Sequence, residues 1–282
     1  MQGEQLTSFE SSLLVLFSAL SLFGMKFLHS SRSAIRFRCA QVSEPPLWGG
    51  MPVFLALLSF LIIPGLIMFF FEEALDIGLY STEEYLSASS VTGGFLVGGG
   101  WIVYSIWWFV VVRLNQPAAT LGLCRAPLEN LISLLLFYVF FFPPFFLLSS
   151  LWINFLELLG HESMPQEVVQ DLQEAFARGS LLEISLMVFN AVVLAPLVEE
   201  MIFRGFFFGL LRSRWGVFPA LVFSSAVFAA FHFSLDALLP LFAVGLALGY
   251  VYHKTRSLYF AIFFHALFNG VMVLIQWYSA GS

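Results

Sequence analysis

The chain has 282 residues, of which 60% are hydrophobic and only 11% charged, with a formal net charge of -6 at pH 7. A typical soluble domain carries about 25% charged residues, so this composition excludes an ordinary soluble domain and indicates an all-α, polytopic membrane protein. A transmembrane β-barrel is also excluded, because its strands alternate apolar and polar residues whereas these apolar runs are continuous.

The N-terminal segment is predicted to be a retained membrane helix rather than a cleaved signal peptide. Glu4 and Glu10 precede the first apolar run, where a signal peptide would carry positive charge. The basic residues follow the run instead, at Lys26 and within 32–38, which places the N-terminus outside. Beside a membrane helix, the basic cluster is interpreted as facing lipid headgroups and not as a nucleic-acid site.

Eight apolar runs approach the ~20 residues that a helix needs to cross a ~30 Å hydrocarbon core. Four of them lie in residues 1–180, which carry no recognisable motif, and four form a helical core in residues 181–282 that carries the motifs described next. The eight spans are predicted at Ser11–Phe27, Leu47–Phe71, Thr92–Val112, Glu129–Ile153, Leu181–Arg212, Val217–Phe233, Leu238–Tyr252 and Leu258–Trp277.

The distribution of basic residues predicts the orientation. With the N-terminus outside, every Lys and Arg except Arg178 and Arg204 falls in an inner loop or at its edge, as the positive-inside rule expects. Both termini are therefore predicted outside, in a bacterial inner membrane. Cys39 and Cys124 fall in inner loops without metal-ligand spacing, so they are interpreted as free thiols.

The outer loop before the fifth span is predicted to contain an amphipathic helix. Ser163 and Gln166 occupy capping-box positions, and apolar residues then recur every four positions through Met164–Phe176. Such a helix is expected to lie on the outer interface or over the bundle.

Three charges interrupt the fifth span, where a charged group is costly and usually functional. Glu200 and Arg204 are four residues apart, so they share a helix face and can form an ion pair. Glu199 lies ~100° around the helix and has no local partner. Pro196, one turn earlier, is expected to kink the helix and free a carbonyl.

Further polar groups are predicted at a similar depth on two other helices. Counting ~1.5 Å per residue from the inner boundary places Glu199 and His232 at ~20 Å, Asn269 at ~18 Å and His265 at ~12 Å. Each histidine taken alone can equally be a hydrogen-bonding group between helices. Taken together, the four groups predict an intramembrane polar cavity, interpreted as opening towards the cytoplasm.

This set of groups suits water-dependent cleavage of an acyl bond. A desolvated carboxylate is a competent general base, and a histidine beside it can pass the proton to the leaving amine. A second histidine and an asparagine amide can donate hydrogen bonds to the oxyanion. No serine or cysteine with a matching base falls in this layer, so a covalent nucleophile is not indicated.

Three motifs in this region resemble those of the CAAX protease and bacteriocin-processing family, the type II CAAX prenyl endopeptidases also called Abi. They are Glu199-Glu200-x-x-x-Arg204, Phe228-x-x-x-His232 and His265-x-x-x-Asn269, and the resemblance covers about 181–277.

The resemblance implies an intramembrane endopeptidase in which Glu199 activates water with the help of His232, while His265 and Asn269 hold the oxyanion. Glu200, Arg204 and Phe228 would support the site. The expected partners are the lipid bilayer and a peptide or lipidated protein. A metal-free mechanism is favoured; the alternative is a zinc ion held by Glu199, His232 and His265.

Two other functions stay open at this point. A non-catalytic member of the family would act in bacteriocin immunity or as a membrane scaffold, and its activity would survive loss of Glu199 and His232. A transporter or proton relay would use the same buried groups. It would also be expected to show inverted halves, which the sequence does not display.

Overall fold

The structure is a computed structural model that describes residues 8–30, 83–124, 130–163 and 167–281. The described segments are helical, and no β-strand occurs in them. Their helices, in chain order, are α1 (Ser8–Ser30), α2 (Glu83–Trp107, continued by the π-helical segment Trp108–Arg113), α3 (Asn130–Leu158), α4 (Glu167–Arg178), α5 (Leu181–Trp215), α6 (Val217–Ala230), α7 (Leu235–Thr255) and α8 (Leu258–Gly281). The predicted all-α class is therefore confirmed for the part of the chain that the structure describes.

Five of these helices contain a stretch long and apolar enough to cross a membrane. The stretches are Thr92–Arg113, Leu131–Leu158, Leu181–Trp215, Leu235–Thr255 and Leu258–Ser279. The apolar parts of α1 and α6, Val15–Lys26 and Val217–Ala230, are shorter. The predicted span Leu47–Phe71 lies outside the described residues. The count of eight spans is thus not confirmed, although every predicted span that can be examined coincides with a helix.

Helix α5 is continuous over 35 residues, but its α-helical winding is interrupted by two π-helical segments. Two π-helical segments, Asn190–Leu194 and Met201–Phe208, flank the short α-helical stretch Ala195–Glu200. A π segment widens the helix and frequently marks a functional site. Both candidate carboxylates, Glu199 and Glu200, lie between the two widened segments.

Loops that the charge pattern assigns to the same side of the membrane contact one another. At one end of the bundle, Ser163 Oγ and His161 Nε2 lie 3.0 Å and 3.2 Å from Asp236 Oδ1. At the other end, the Leu258 N–H donates to the Gly122 carbonyl at 2.8 Å, and Ser257 Oγ donates to the Cys124 carbonyl at 2.9 Å. These contacts therefore agree with the predicted grouping of the loops at the two ends of the bundle.

The amphipathic helix packs over the bundle rather than standing apart from it. In α4, Leu172 and Ala175 are buried, and Gln173 Nε2 donates a 2.7 Å hydrogen bond to Gln276 Oε1 near the end of α8. Arg178 Nη2 bonds Glu183 Oε1 at 2.6 Å, which ties the end of α4 to the beginning of α5. Of the predicted capping residues, Gln166 lies outside the described residues.

Close approach of α6 and α7 depends on glycine. A Cβ on Gly245 would lie 2.9 Å from the Cβ of Ser225 and 3.0 Å from its Cα. A Cβ on Gly249 would meet the Leu221 side chain. The small-xxx-small spacing of Gly245 and Gly249 predicts such packing, and the structure confirms it. This contact brings the backbone of α7 within reach of the charged groups on α5.

Candidate active site

Glu200 is the centre of a buried polar cluster and is fully buried itself. Its Oε1 atom accepts hydrogen bonds from Arg204 Nη1 and from His265 Nδ1, both at 2.8 Å. The predicted pair between Glu200 and Arg204 is therefore confirmed, and the same oxygen also holds a histidine of α8. That second bond is not predictable from residue spacing along one helix.

Arg204 connects the cluster to α6 and α7. The residue is 1% exposed, and its guanidinium donates from Nη2 to the Gly245 carbonyl at 3.1 Å and lies 4.6 Å from the centroid of the Phe228 ring. A guanidinium over an aromatic face is stabilised by the ring quadrupole, most strongly where water is excluded. Phe228 thus contributes a wall to the cluster, which gives a physical basis for its predicted supporting role.

His265 connects Glu200 to Glu199. Because an ionised carboxylate only accepts hydrogen bonds, the short contact with Glu200 puts a proton on Nδ1 of His265. The other ring nitrogen, Nε2, lies 3.9 Å from Glu199 Oε2. That distance is an ion-pair contact and is too long for a direct hydrogen bond.

Glu199 differs from Glu200 in both exposure and bonding. Its side chain is 22% exposed, against 0% for Glu200. Its buried Oε2 atom accepts no hydrogen bond from the described residues. The prediction that Glu199 lacks a partner on its own helix is consistent with this geometry.

His232 lies in the turn between α6 and α7, just after α6 ends at Ala230. Its Nδ1 lies 2.8 Å from the Phe228 carbonyl, so Nδ1 donates and Nε2 is left as an acceptor. The centroid of the Phe228 ring lies 4.9 Å from the centroid of the His232 ring and 5.9 Å from that of the His265 ring. Phe228 therefore packs against both imidazoles. The ion-pair contact of Glu199 is with His265, not with His232.

The position of His232 does not support an opening towards the cytoplasm. The turn that contains it leads into α7, whose first residues include Asp236. Asp236 contacts residues 161–163, at the end of the bundle that the basic residues assign to the outside. His232 lies beyond the C-terminus of α6, in the turn that joins it to α7, and therefore at the same end of the bundle as Asp236.

Asn269 contacts α5 at a carbonyl that sequence reasoning did not identify. Its Nδ2 donates a 2.7 Å hydrogen bond to the Ala191 carbonyl, inside the first π segment. The neighbouring Asn190 donates from Nδ2 to Thr92 Oγ1 on α2 at 2.8 Å. Pro196 does predict a carbonyl on α5 without a backbone donor. Which side chain bonds that carbonyl depends on how α8 packs against α5, and the sequence does not specify this packing.

The three residues of the metal alternative do not form a ligand set. Among the described residues, no group of three or more His, Cys, Asp or Glu side chains is arranged to hold a metal ion. Glu199 and His265 approach each other, whereas His232 is bonded to its own helix. The preference for a metal-free mechanism stays a prediction.

Comparison with known proteins identifies the same region. Residues 181–271 match the family described as Type II CAAX prenyl endopeptidase Rce1-like. The chain is 30% identical over 118 residues to "Putative membrane peptidase YdiL" of Bacillus subtilis (strain 168), covering 42% of this chain and 45% of that protein. It is 40% identical over 81 residues to "UPF0177 protein YaiF" of Lactococcus lactis subsp. lactis (strain IL1403), covering 28% of this chain and 36% of that protein.

These matches span less than half the length of each relative. No solved structure matches the chain. All three motifs fall within the matched segment of the family, and the bonded residues of the polar cluster on α5 and α8 belong to them. The resemblance that the motifs indicate is therefore confirmed, and over residues 181–271 this chain is similar to the type II CAAX prenyl endopeptidases.

Proposed function

We propose that the protein is an intramembrane endopeptidase that hydrolyses a peptide bond of a membrane-associated substrate with water activated by Glu199. The observation that carries the proposal is the connected series of Arg204, Glu200, His265 and Glu199 inside the helix bundle. The match of the chain to the endopeptidase family, and its similarity to the relative named "Putative membrane peptidase YdiL", support a membrane hydrolase of the protease type.

The charges of the series support this chemistry. Isolated charges in a low-dielectric interior are costly, so a buried cluster is most stable when its charges cancel. With both carboxylates ionised, neutrality requires Arg204 and a doubly protonated His265. In that state Glu199 is free to accept a proton, while His265 presents an N–H at Nε2.

The proposed reaction uses these groups in sequence. Glu199 takes a proton from water as the oxygen attacks the scissile carbonyl carbon, and the carbonyl oxygen becomes an oxyanion. The Nε2–H of His265 donates to that oxyanion, and the predicted second donor is the amide of Asn269. Collapse of the tetrahedral intermediate breaks the C–N bond, and the proton from water passes to the leaving amine through Glu199 and His232.

The chain-wide organisation is proposed to follow the charge pattern. Residues 1–180 would supply four membrane helices and the outer amphipathic helix α4, and residues 181–282 would form the catalytic core. This arrangement gives eight spans around an intramembrane cavity, with both termini outside in a bacterial inner membrane. Because His232 lies near the outer end, the substrate is proposed to reach the site from that end. A peptide or lipidated protein tail is the proposed substrate class.

The test is cleavage by the full-length protein in proteoliposomes, measured on a panel of prenylated and plain membrane peptides. Removing a general base typically costs about 100-fold to 10,000-fold, so Glu199→Gln is expected to lose at least about 100-fold in kcat. Glu157→Gln, on the exposed end of α3, is the matched control and should cleave normally.

Each reaction is run with and without a metal chelator, and activity is expected to be the same in both. Activity lost to the chelator and restored by zinc would contradict the metal-free mechanism. Normal turnover by Glu199→Gln would overturn the catalytic assignment as a whole. A biological effect that persists in that variant would instead favour a non-catalytic role.

A further inference from the structure

Asn269 makes a contact that a purely oxyanion-binding role does not explain. Its Nδ2 donates to the Ala191 carbonyl at 2.7 Å, which joins α8 to α5. His265 lies one turn earlier on the same face of α8 and bonds Glu200 on α5. The two contacts therefore hold the same pair of helices at successive turns.

The Ala191 carbonyl is available because of the local winding of α5. In an α-helix this carbonyl would accept the N–H of Ala195, four residues later. Here the Ala195 N–H bonds the Asn190 carbonyl, five residues earlier, as in a π-helix. The next bond in that register would come from residue 196 to Ala191, but residue 196 is a proline and has no N–H.

A buried carbonyl without a donor is costly, so a side chain from a neighbouring helix is a stabilising replacement. Pro196 thus creates an acceptor on the side of α5 that faces α8, and the amide of Asn269 occupies it. Because Asn269 and His265 are four residues apart, this bond also fixes the height and rotation of His265 relative to the two carboxylates.

From this geometry we infer that Asn269 is a positioning residue, which sets the register of His265 through the Ala191 carbonyl that Pro196 leaves without a backbone donor. The inference rests on the proposed function for its kinetic readout, although the helix contact can be measured without activity. It assigns Pro196 a specific purpose in the site, beyond bending the helix.

The two roles of Asn269 separate in a double-mutant cycle with Pro196→Ala. This substitution restores an N–H directed at the Ala191 carbonyl, so that the carbonyl no longer depends on Asn269. Since a misplacement of about 1 Å can cost about 100-fold in rate, Asn269→Ala alone is expected to lower kcat at least about tenfold with KM unchanged. In the Pro196→Ala background the same substitution should cost at least about threefold less than in the wild type, because only the oxyanion contact is then lost.

A residue that acted only as an oxyanion donor would behave differently, because its removal would cost the same factor in both backgrounds. Equal losses in the two backgrounds would therefore overturn the inference. Gln276→Ala removes another amide contact of α8, to α4, and Pro143→Ala removes another helical proline. Both are controls that should leave kcat unchanged.

Thermal unfolding of the same variants provides the readout that is independent of catalysis. Asn269→Ala should lower the unfolding temperature in the wild-type background and have a smaller effect in the Pro196→Ala background. If the wild-type protein cleaves nothing, the proposed function fails while this stability comparison still tests the contact. Additive stability losses from the two substitutions would refute the link between Pro196 and Asn269.

Discussion

Glu199 and Glu200 are adjacent, but replacing each by glutamine should affect the stability of the protein very differently. Glu200→Gln keeps the shape of the side chain and removes only its charge, as does Glu199→Gln one residue earlier. Glu200 is fully buried and its Oε1 is shared by Arg204 and His265, both at 2.8 Å. Glu199 is partly exposed, and its Oε2 accepts no hydrogen bond from the described residues. Glu200→Gln should therefore destabilise the protein, whereas Glu199→Gln should chiefly remove activity.

The expected loss of stability in Glu200→Gln follows from the burial of the cluster. Removing one partner of a buried ion pair typically costs about 3–5 kcal/mol, because the remaining charge stays buried without compensation. For a domain of this size each kcal/mol lowers the unfolding temperature by about 2–4 °C, so Glu200→Gln should unfold roughly 10 °C earlier. Glu199→Gln breaks no hydrogen bond to the described residues and should cost less than about 1 kcal/mol.

The assay is thermal unfolding in detergent, with cleavage of a membrane peptide measured on the same preparations. Glu200→Gln is expected to lose activity as well, because a neutral amide holds the Nδ1–H of His265 less firmly than the Glu200 carboxylate does. Replacing both partners, in Glu200→Gln with Arg204→Met, removes the uncompensated cation and should recover part of the lost stability. Equal unfolding temperatures for the two single variants would refute the central position of Glu200.

Two further predictions concern packing and orientation. Gly245→Ala should lower stability by about 1–3 kcal/mol, since its Cβ would meet the Ser225 backbone at 3.0 Å. Gly209→Ala, where a Cβ meets nothing within 4 Å, should be neutral or gain up to about 1 kcal/mol; similar unfolding temperatures for both would contradict this packing. In a background without Cys39 and Cys124, Ser163→Cys should react with an impermeant maleimide on intact cells. Ser213→Cys should react only after permeabilisation, and the reverse pattern would invert the proposed orientation.

The sequence predicts the helices well because hydrophobic length and helical periodicity are local properties. The predicted span Leu258–Trp277 lies within α8, and Thr92–Val112 ends one residue before the Thr92–Arg113 stretch. The prediction for α7, Leu238–Tyr252, is too short. Its N-terminal extension contains Asp236, and Ser234 caps the helix by accepting a hydrogen bond from the Ala237 N–H. A charged residue near a capped helix start is favourable and does not mark the end of a span.

Part of the candidate site is equally local. The pairing of Glu200 with Arg204 follows from their spacing of four residues, and the isolation of Glu199 follows from its position around the helix. The contacts between helices, in contrast, cannot be predicted from residue spacing. The bond from His265 to Glu200 and the bond from Asn269 to Ala191 depend on the rotation and height of α8 against α5, which no pattern along either helix specifies.

The π segments of α5 affect the predicted depth of Glu199, which is counted along this helix from the inner boundary. Counting 1.5 Å per residue assumes uniform α-helical winding, but α5 is π-helical at Asn190–Leu194 and Met201–Phe208. The same departures give the helix its chemistry. In a regular α-helix the Ala191 carbonyl would be bonded within its own helix, and α8 would lose one of its two polar contacts with α5.

The site is therefore held together by groups that α5 cannot satisfy alone. Arg204 extends to the Gly245 carbonyl of α7, Glu200 to His265 of α8, and the Ala191 carbonyl to Asn269. Each of these contacts satisfies a polar group that would be costly if left unpaired in a membrane. Because the bonds that stabilise the bundle are the same ones that orient His265 towards Glu199, stability and catalytic geometry should fail together in every single-residue variant of this cluster except those at Glu199.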